Sequence, residues 1–505
     1  MKETRETGDS TPEGKLLRGH RLPLALAATV ALALFIYLRD VPENPPGFFV
    51  DESSIAFNAH SISQSGADEH GARWPLYFRA FGEYKSPVYI YLLAALFKLT
   101  GPSITAARLL SAVCGLSAAA LLGLLSWRMT RRRMPVFVVF VSAMLTPWLF
   151  ELSRLVFEVA LFPSVLALFL LAVHAAAAKE EWSWPRAATL GATLGLLTYT
   201  YSAGRLLAPL FALGLALFIT RGRLRGVVRA WLAYGATLVP LLIFNSKYPG
   251  ALGSRFTDVS YVTPESTWAG IALRFVGNYL GNFNPLSWLV AGDPEPRHHL
   301  PGMGSLLAPT FILAATGFAL VLVRKRREAW WRFVLYGLAV SAVPAALTLD
   351  HFHTLRLAAL VVFLCVLIAP AIEWLCEAGA GAKLRRAALA VLVLLTLAQG
   401  ALFQWQFSRA AETRWHNFDT FYPEVFSKAV ELQNHPIYIL DNHAAPGYMH
   451  AYWYATLRRV DLKQFVRLGK GEQPPPGALV ISTEMPCTRC RMILERGSFR
   501  LYIAD

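Results

Sequence analysis

The fold class of this chain is decided by the stretch Leu357-Ala-Ala-Leu-Val-Val-Phe-Leu-Cys-Val-Leu-Ile-Ala-Pro-Ala-Ile-Glu-Trp-Leu375. Glu373 is the one charged residue in it and lies near its C-terminal end. An apolar run of about 20 residues makes a helix of roughly 30 Å, which is the hydrocarbon thickness of a bilayer. Because lipid offers no hydrogen-bond partners to the backbone, such a run crosses a membrane as a helix.

The composition of the whole chain supports the same interpretation. Of the 505 residues, 55% are hydrophobic and 16% are charged, whereas soluble proteins have about 45–50% apolar and about 25% charged residues. The pattern predicts a polytopic α-helical membrane protein with about eleven transmembrane helices. The expected spans lie near 22–38, 104–127, 135–150, 158–178, 187–201, 206–220, 230–245, 306–323, 331–348, 357–375 and 387–404.

The basic residues indicate the orientation of these spans. They cluster in alternate loops, which are the N-terminus (Lys15, Arg18, Arg21), 128–133, 179–186, 221–229, 324–327 and 383–386. Cytoplasmic loops of membrane proteins carry such clusters. We therefore expect a multi-pass protein of the cytoplasmic (inner) membrane, with residues 1–21 as a cytoplasmic tail and the C-terminus outside. The net charge of +15 has the same origin, so we expect no nucleic-acid partner.

Two further helices are expected on the outer surface. The apolar run 87–99 is too short to span, and counting it as a span would invert every later basic loop. Residues 53–63 carry apolar positions at helical spacing, which is typical of an interfacial helix. Residues 22–404 would then form a membrane domain with outer loops 39–103 and 246–305.

The polar tail, residues 405–505, has a different pattern. Short runs typical of β-strands occur at 436–440, 478–482 and 499–503, with a helical stretch at 447–457. They predict a small extracytoplasmic α/β domain. Cys487-Thr-Arg-Cys490 lies in this domain, and without a second pair of cysteines a local disulfide is favoured over zinc binding or redox catalysis.

Isolated basic residues on the outer side are the first functional candidates. Lys85, Arg154, Arg205 and Arg356 each lie at the outer end of a span, next to aromatic residues. A basic residue there can simply anchor the helix at the headgroups. A phosphate at the outer leaflet also needs such donors, because Arg binds its oxygens bidentately and Lys supplies a compact charge.

Asp51 and Glu52 follow the first span and are the candidate acids. They can be solvated flanking carboxylates, or one of them can act as a general base. A sugar linked through phosphate has a good leaving group, so its transfer needs one base and cations around the phosphate. A glycosidase would need two carboxylates flanking one bond, and adjacent residues point apart.

Metal and cofactor signals are weak in the sequence. His298, His299, His351 and His353 could ligate a metal, but no carboxylate or cysteine stands at zinc-site spacing. No cofactor is indicated, although a divalent metal stays possible. The histidines are expected to hydrogen-bond a polar substrate or to cap loop ends.

The chain resembles the GT-C superfamily of polyprenyl-phosphate-sugar-dependent membrane glycosyltransferases, among them protein O-mannosyltransferases and the lipid A aminoarabinose transferase. The resemblance covers roughly residues 20–405. It rests on Val50-Asp51-Glu52, Tyr84-Lys85-Ser86-Pro87, Ser153-Arg154 with Glu158, the segment 201–209 that begins Tyr201-Ser-Ala-Gly-Arg205, and the segment 347–356 that ends His351-Phe-His353-Thr-Leu-Arg356.

The resemblance implies an inverting enzyme of the cell envelope. Asp51 would be the base, with Glu52 beside it, and Lys85 would bind the donor phosphate. The further substrate-binding residues would be Arg154, Tyr201, Arg205, His353 and Arg356. The implied partners are a polyprenyl-phosphate-linked sugar and a lipid, glycan or protein acceptor. A lipid or polysaccharide transporter or flippase, and a non-catalytic envelope-assembly protein, are the rival interpretations.

Overall fold

The computed structural model describes residues 27–441, 446–469 and 471–505. The predicted cytoplasmic tail, residues 1–21, and the start of the first predicted span lie outside the described residues. The helices up to residue 414 are α1 (Ala27–Leu38), α2 (Val50–Ser65), α3 (Pro87–Thr100), α4 (Ile104–Thr130), α5 (Arg133–Leu145), α6 (Pro147–Leu152), α7 (Phe162–Ala177), α8 (Trp184–Thr200), α9 (Gly204–Gly214), α10 (Leu224–Lys247), α11 (Ser254–Val259), α12 (Trp268–Gly281), α13 (Ala308–Leu320), α14 (Ala329–Val340), α15 (Val343–Ala346), α16 (Ala358–Leu375), α17 (Ala382–Arg409) and α18 (Ala411–Arg414).

Seven helical segments of the described chain are long and apolar enough to cross a membrane. They are Ile104–Thr130, Glu158–Ala177, Leu224–Lys247, Ala308–Lys325, Ala329–Ala346, Ala358–Leu375 and Ala382–Arg409. Shorter apolar helices are Ala27–Leu38, Pro87–Thr100, Arg133–Leu145 and Gly204–Phe218. The polytopic α-helical fold is thus confirmed, whereas the number of about eleven spans stays a prediction.

The helix α16 is the centre of the membrane domain. It is formed by the apolar stretch 357–375, and 89% of its span is buried inside the protein. The helices α4, α5, α7, α13 and α14 pack around it. Gly317 and Gly337 let α13 and α14 approach α16 closely. A Cβ at Gly317 would collide with the Leu367 carbonyl, and a Cβ at Gly337 would collide with the Phe363 ring. A helix that is apolar on all sides suits this position.

A β-hairpin lies between α2 and α3 in the outer loop 39–103. Its strands β1 (Phe78–Ala80) and β2 (Glu83–Lys85) pair antiparallel, with Phe78 opposite Lys85. The turn residues Phe81 and Gly82 both have positive φ, which is the geometry of a tight two-residue hairpin turn. The hairpin therefore fixes the position of Lys85, the last residue of β2.

The C-terminal region forms the predicted α/β domain. Its helices are α19 (Tyr422–Glu431) and α20 (Tyr448–Arg458), and its strands are β3 (Ile437–Leu440), β4 (Phe465–Arg467), β5 (Leu479–Thr483), β6 (Cys490–Arg496) and β7 (Phe499–Ala504). The sheet order is β4-β3-β5-β7-β6, with β4, β3 and β5 parallel and β7 antiparallel to both of its neighbours. Cys487 and Cys490 form the expected disulfide beside β6.

Two of these strands were not expected from the sequence. The strand β4 has three residues, and five of the seven residues of β6 are exposed. Neither contains the buried apolar run by which β3, β5 and β7 were predicted.

Candidate active site

A cavity of about 1030 Å³ lies where the loops 39–103 and 246–305 meet the ends of α8, α9 and α10. We call it the Asp51 cavity. Six of the eight residues predicted for the site line it, and these are Asp51, Lys85, Tyr201, Arg205, His353 and Arg356. They come from segments far apart in sequence.

Asp51 is held at the first turn of α2, where the helix dipole favours a carboxylate. Its Oδ1 accepts a hydrogen bond of 2.6 Å from Lys85 Nζ. The Lys85 side chain is 7% exposed and that of Asp51 is 30% exposed, so the carboxylate is the more open of the two groups. A second carboxylate, Glu83, lies 3.6 Å from the same ammonium.

The charges of this pair shift both pKa values away from neutrality. Burial alone would raise the pKa of Asp51, but the neighbouring Lys85 outweighs burial and lowers it. Burial alone would lower the pKa of Lys85, but Asp51, Glu83 and Glu158 outweigh burial and raise it. Asp51 is therefore ionised and Lys85 protonated at physiological pH.

Three other cations of the cavity are paired with carboxylates. Arg255 Nε lies 3.2 Å from Glu83, and Arg297 Nε lies 2.9 Å from Glu295. Arg356 pairs with Asp350 and also donates to Thr348 Oγ1 at 2.9 Å.

Arg205 differs from these cations in its partners. It donates to the Leu252 carbonyl at 3.0 Å and lies over the Tyr77 ring. Within the described chain it has no carboxylate within 4 Å.

Glu52 does not line the cavity, although it is adjacent to Asp51. It is fully buried, and both its oxygens accept from Arg108, at 3.2 Å and 3.1 Å. Arg108 also donates to the carbonyls of Pro42, Pro45 and Gly47. The Glu52–Arg108 pair therefore fixes the chain that leads into α2. Adjacent residues of a helix point in different directions, so Glu52 faces the core while Asp51 faces the cavity.

Arg154 is also placed differently from the expectation. Its guanidinium donates to the carbonyls of Tyr37, Arg39, Asp40 and Asn44, at 2.8–3.1 Å. These bonds occupy its nitrogens, and it lies away from Asp51, between α1 and α17. Arg154 thus holds the end of α1 in place and has no donor directed at the cavity.

Comparison with known proteins identifies the fold. The crystal structure of ArnT from Cupriavidus metallidurans bound to undecaprenyl phosphate superposes with a TM-score of 0.63 and 11% identity, covering 95% of this chain and 98% of that chain. The apo state of the same protein gives 0.58 and 12%, covering 94% and 97%. This chain has the GT-C fold.

A second comparison concerns part of the sequence. The family model for dolichyl-phosphate-mannose-protein mannosyltransferase matches residues 84–247, about a third of the chain. That segment runs from the end of β2 to the end of α10 and includes Lys85 and Arg205. No curated protein matches the sequence. The resemblance to the GT-C superfamily noted in the sequence is therefore confirmed at the level of the fold.

Seven further charged residues of this GT-C cavity were not predicted as site residues, and they are Glu83, Glu158, Arg255, Asp293, Glu295, Arg297 and Asp350. Arg255 and Arg297 belong to loop 246–305, which was expected outside. The criterion that selected Lys85 and Arg205, a basic residue on the outer side, would have selected them too. Glu158 accepts from the Ser86 backbone at 3.0 Å, a contact across 72 residues that leaves no sequence signal.

The C-terminal domain touches helix α2 of the membrane domain directly. Asp419 Oδ2 accepts from the Val50 backbone at 3.0 Å and contacts His450 Nε2 at 3.0 Å. His450 Nδ1 in turn bonds Ser53 Oγ at 2.9 Å. Because Ser53 and His450 are buried, this chain of contacts is a structural dock that sets the start of α2, one residue before Asp51.

The loop 293–305 is tied down by a buried ion pair. His299 Nδ1 contacts Glu151 Oε2 at 2.8 Å, and His299 Nε2 contacts the Met303 carbonyl at 2.6 Å. A carbonyl only accepts, so both ring nitrogens donate and the ring is cationic. Burial would lower the pKa of His299, but Glu151 outweighs burial and raises it.

One cluster of the cavity wall has metal-ligating groups. Asp293, His298 and His353 place their ligand atoms within 4.8 Å of one another. Burial would raise the pKa of Asp293, but His298, His353 and Thr354 lower it below its usual range. The pKa of His353 falls to about 3 through burial and through the neighbouring His298 and Arg356. The wall thus presents an ionised carboxylate beside a neutral imidazole.

Proposed function

We propose that this protein is a glycosyltransferase that moves a sugar from a polyprenyl-phosphate donor to an acceptor hydroxyl at the outer face of the membrane. Asp51 is the general base, and the anomeric configuration inverts. The observation that carries the proposal is the Asp51–Lys85 pair, which puts one ionised carboxylate next to one buried ammonium in a large cavity.

The lining of the Asp51 cavity contains both kinds of residue that such a donor requires. Its cations include Lys85 and Arg205, and its apolar residues include Leu206, Pro209, Leu238 and Leu241 of α9 and α10. A phosphate joined to a long apolar chain would place its anion against the cations and its chain against the apolar residues. The GT-C neighbour ArnT was crystallised with undecaprenyl phosphate, a molecule of this chemistry.

The proposed reaction is a single displacement. The donor phosphate binds Lys85 and Arg205 and draws the ammonium away from Asp51, so the carboxylate regains basicity. Asp51 takes the proton of the acceptor hydroxyl, and the oxygen attacks the anomeric carbon. The bond between that carbon and the phosphate oxygen breaks, and its electron pair leaves with the polyprenyl phosphate. The cations stabilise the charge that develops on the leaving group.

The test is Asp51→Asn, which keeps the size of the side chain and removes the proton acceptor. Loss of a general base costs about 10²–10⁴-fold in rate. The assay measures release of polyprenyl phosphate from a labelled polyprenyl-phosphate sugar in native membranes that contain the acceptor. We expect release to fall by at least 10²-fold while binding of the labelled donor persists.

Asp40→Asn is the matched control. Asp40 is an outer carboxylate paired with Arg39, and its side chain is 48% exposed. This variant should release polyprenyl phosphate at the wild-type rate. Near-normal release by Asp51→Asn would disprove the role of Asp51. Translocation of the intact donor without release would support the flippase interpretation instead.

A further inference from the structure

A second cavity, of about 520 Å³, lies between α1 and α17. We call it the Arg154 cavity, and it shares no lining residue with the Asp51 cavity. Its lining includes the buried side chains of Phe150 and Phe407 and the half-exposed side chains of Phe35 and Trp405. Only 22% of the α17 span is buried, so most of this helix contacts the bilayer, from which a lipid can enter the cavity.

The lining of the Arg154 cavity changes from apolar to polar toward the ends of both helices. In α17 it begins with Leu397 and Ala401 and ends with Ser408 and Arg409. The chain around the end of α1 shows the same change, through Leu32, Phe35, Ile36, Arg39 and Asp40. Leu397 and Arg409 are separated by about 18 Å along the helix, close to the roughly 15 Å hydrocarbon depth of one leaflet. The lining therefore matches one acyl chain with its headgroup at the helix ends.

The charges of the lining favour an anion. It contains three arginines and one carboxylate, Asp40, which is bonded to Arg39. Arg154 is 4% exposed and donates only to carbonyls among the described residues. Burial and the neighbouring Arg108 lower its pKa to about 10. Since a buried charge needs an opposite charge close to it, an anion in this cavity would compensate Arg154.

Arg409 is the second cation without a carboxylate partner. It lies over the Trp405 ring, 4.3 Å from its centre, and no carboxylate of the described chain lies within 4 Å of it. Its side chain is exposed at the end of α17, where the headgroups of a bilayer are expected. A guanidinium in this position can bind a phosphate bidentately.

Two buried polar atoms of the lining also lack partners among the described residues. Asn44 is 4% exposed and donates through Nδ2 to the Phe407 carbonyl at 2.7 Å, which leaves its Oδ1 as an unpaired acceptor. Gln404 Nε2 is an unpaired donor. Buried polar atoms in native proteins are nearly always satisfied. The missing ligand must therefore offer a hydroxyl or other donor to Asn44 and an oxygen to Gln404.

We propose that the Arg154 cavity binds one anionic glycerophospholipid with a hydroxylated headgroup, of the phosphatidylglycerol type. Its phosphate pairs with Arg409, an oxygen accepts from Gln404, and a headgroup hydroxyl donates to Asn44 Oδ1. One acyl chain lies along the apolar residues of α1 and α17. A polyprenyl phosphate has no hydroxyl of this kind. The site is independent of the proposed glycosyl transfer, because the two cavities share no residue.

The experiment measures lipid binding to the full-length protein in detergent micelles. The protein is freed of copurified lipid, titrated with phosphatidylglycerol and analysed by native mass spectrometry, which gives the Kd of the first bound lipid. We expect Arg409→Gln to raise this Kd about tenfold or more, because a charge-assisted hydrogen bond is lost. Arg386→Gln is the matched control, since Arg386 is an exposed arginine at the opposite end of α17; it should bind as the wild type does.

The shape of the cavity gives an independent readout. Ala401→Trp fills the apolar part without a change of charge and should weaken the first binding event. Ala398→Trp lies on the same helix, outside the lining, and should not. The wild type should also bind phosphatidylcholine, which has no headgroup hydroxyl, more weakly than phosphatidylglycerol.

Three outcomes would overturn the proposal. Equal Kd values for wild type and Arg409→Gln would remove the site. A loss of phosphatidylglycerol binding in Lys85→Ala would assign the lipid to the Asp51 cavity instead. Displacement of phosphatidylglycerol by equimolar undecaprenyl phosphate would show that the cavity holds a polyprenyl lipid and not a glycerophospholipid.

Discussion

At the scale of single residues, the pairing of Asp51 with Lys85 would let one cavity both hold an anion and take up a proton in the proposed reaction. The ion pair with Lys85 lowers the pKa of the Asp51 carboxylate. The carboxylate is therefore a poor base as long as the ammonium stays in contact with it. A bound phosphate competes for the same ammonium. Donor binding would therefore prepare Asp51 for proton transfer, and the base would be weak whenever the donor is absent.

Lys85→Ala should weaken binding of a polyprenyl-phosphate sugar. A charge-assisted hydrogen bond contributes about 1.5–3 kcal/mol, so its loss raises Kd by roughly tenfold or more. Binding is measured by titration of the labelled donor into detergent-solubilised protein.

Lys98→Ala is the control for this prediction. Lys98 is exposed and donates only to the Ser63 carbonyl among the described residues. Its variant should bind the donor as the wild type does. Equal Kd values for wild type and Lys85→Ala would make Lys85 a purely structural partner of Asp51.

At the scale of elements, the loops 39–103 and 246–305 are held by buried charges. The Glu52–Arg108 pair fixes the entry to α2, and the Glu151–His299 pair fixes the loop that carries Asp293 and Arg297. Since breaking a buried pair leaves an uncompensated charge, each pair constrains its loop strongly. The cavity is thus shaped by groups that do not face it.

The Glu151–His299 pair should make stability depend on pH. The folded-state pKa of His299 lies above its usual value near 6.5. Its stabilising contribution is therefore fully present below pH of about 6.5 and is lost as the pH rises through the raised folded pKa. Glu151→Gln removes the cause of the shift, and losing one partner of a buried pair costs about 3–5 kcal/mol. Thermal unfolding at a fixed scan rate should show the largest deficit near pH 6 and a smaller one at pH 9.

Glu424→Gln is the control for this pH dependence. Glu424 pairs with Arg496 on the exposed surface at 2.8 Å, and Arg does not titrate in this range. Its effect on the melting temperature should be small and constant from pH 6 to pH 9. A deficit of Glu151→Gln that does not change with pH would show that His299 is neutral in the folded protein.

At the scale of the whole molecule, the candidate site residues lie at one end of the membrane domain. The Asp51 cavity, the loop 246–305 and the C-terminal domain all lie there, and Asp419 links the domain to α2. The basic loops, which predict the cytoplasmic side, lie at the other ends of the helices. Function at the outer face follows if the loops obey the charge rule.

Reporter fusions test this orientation. A reporter that is active only outside the cytoplasm should be active when fused after residue 410, beyond the end of α17. The same reporter fused near Arg131, in the loop between α4 and α5, should be inactive. Activity at Arg131 would mean that α3 crosses the membrane and that the orientation of every later helix is inverted.

The fold was largely predictable from the sequence by itself. Long apolar runs admit one solution in lipid, a helix, so the stretch 357–375 predicted a membrane span and became the central helix α16. The short apolar runs of the tail predicted β3, β5 and β7, because short runs of apolar and β-branched residues bounded by turn residues are typical of buried strands. Asp51, Lys85, Arg205 and Arg356 were likewise found by their place at the outer ends of apolar runs.

The direction and the partner of each side chain were decided only by the tertiary structure. Glu52 points into the core and contacts Arg108, while Asp51 faces the cavity. Arg154 donates all its hydrogen bonds to four carbonyls, although its sequence context matches that of Arg205. Asp293 joins His298 and His353 through a contact across about 60 residues, which local spacing does not encode. Hydropathy is a property of segments and is visible in one dimension, whereas a binding site depends on distances of a few ångströms between residues that the packing of helices brings together.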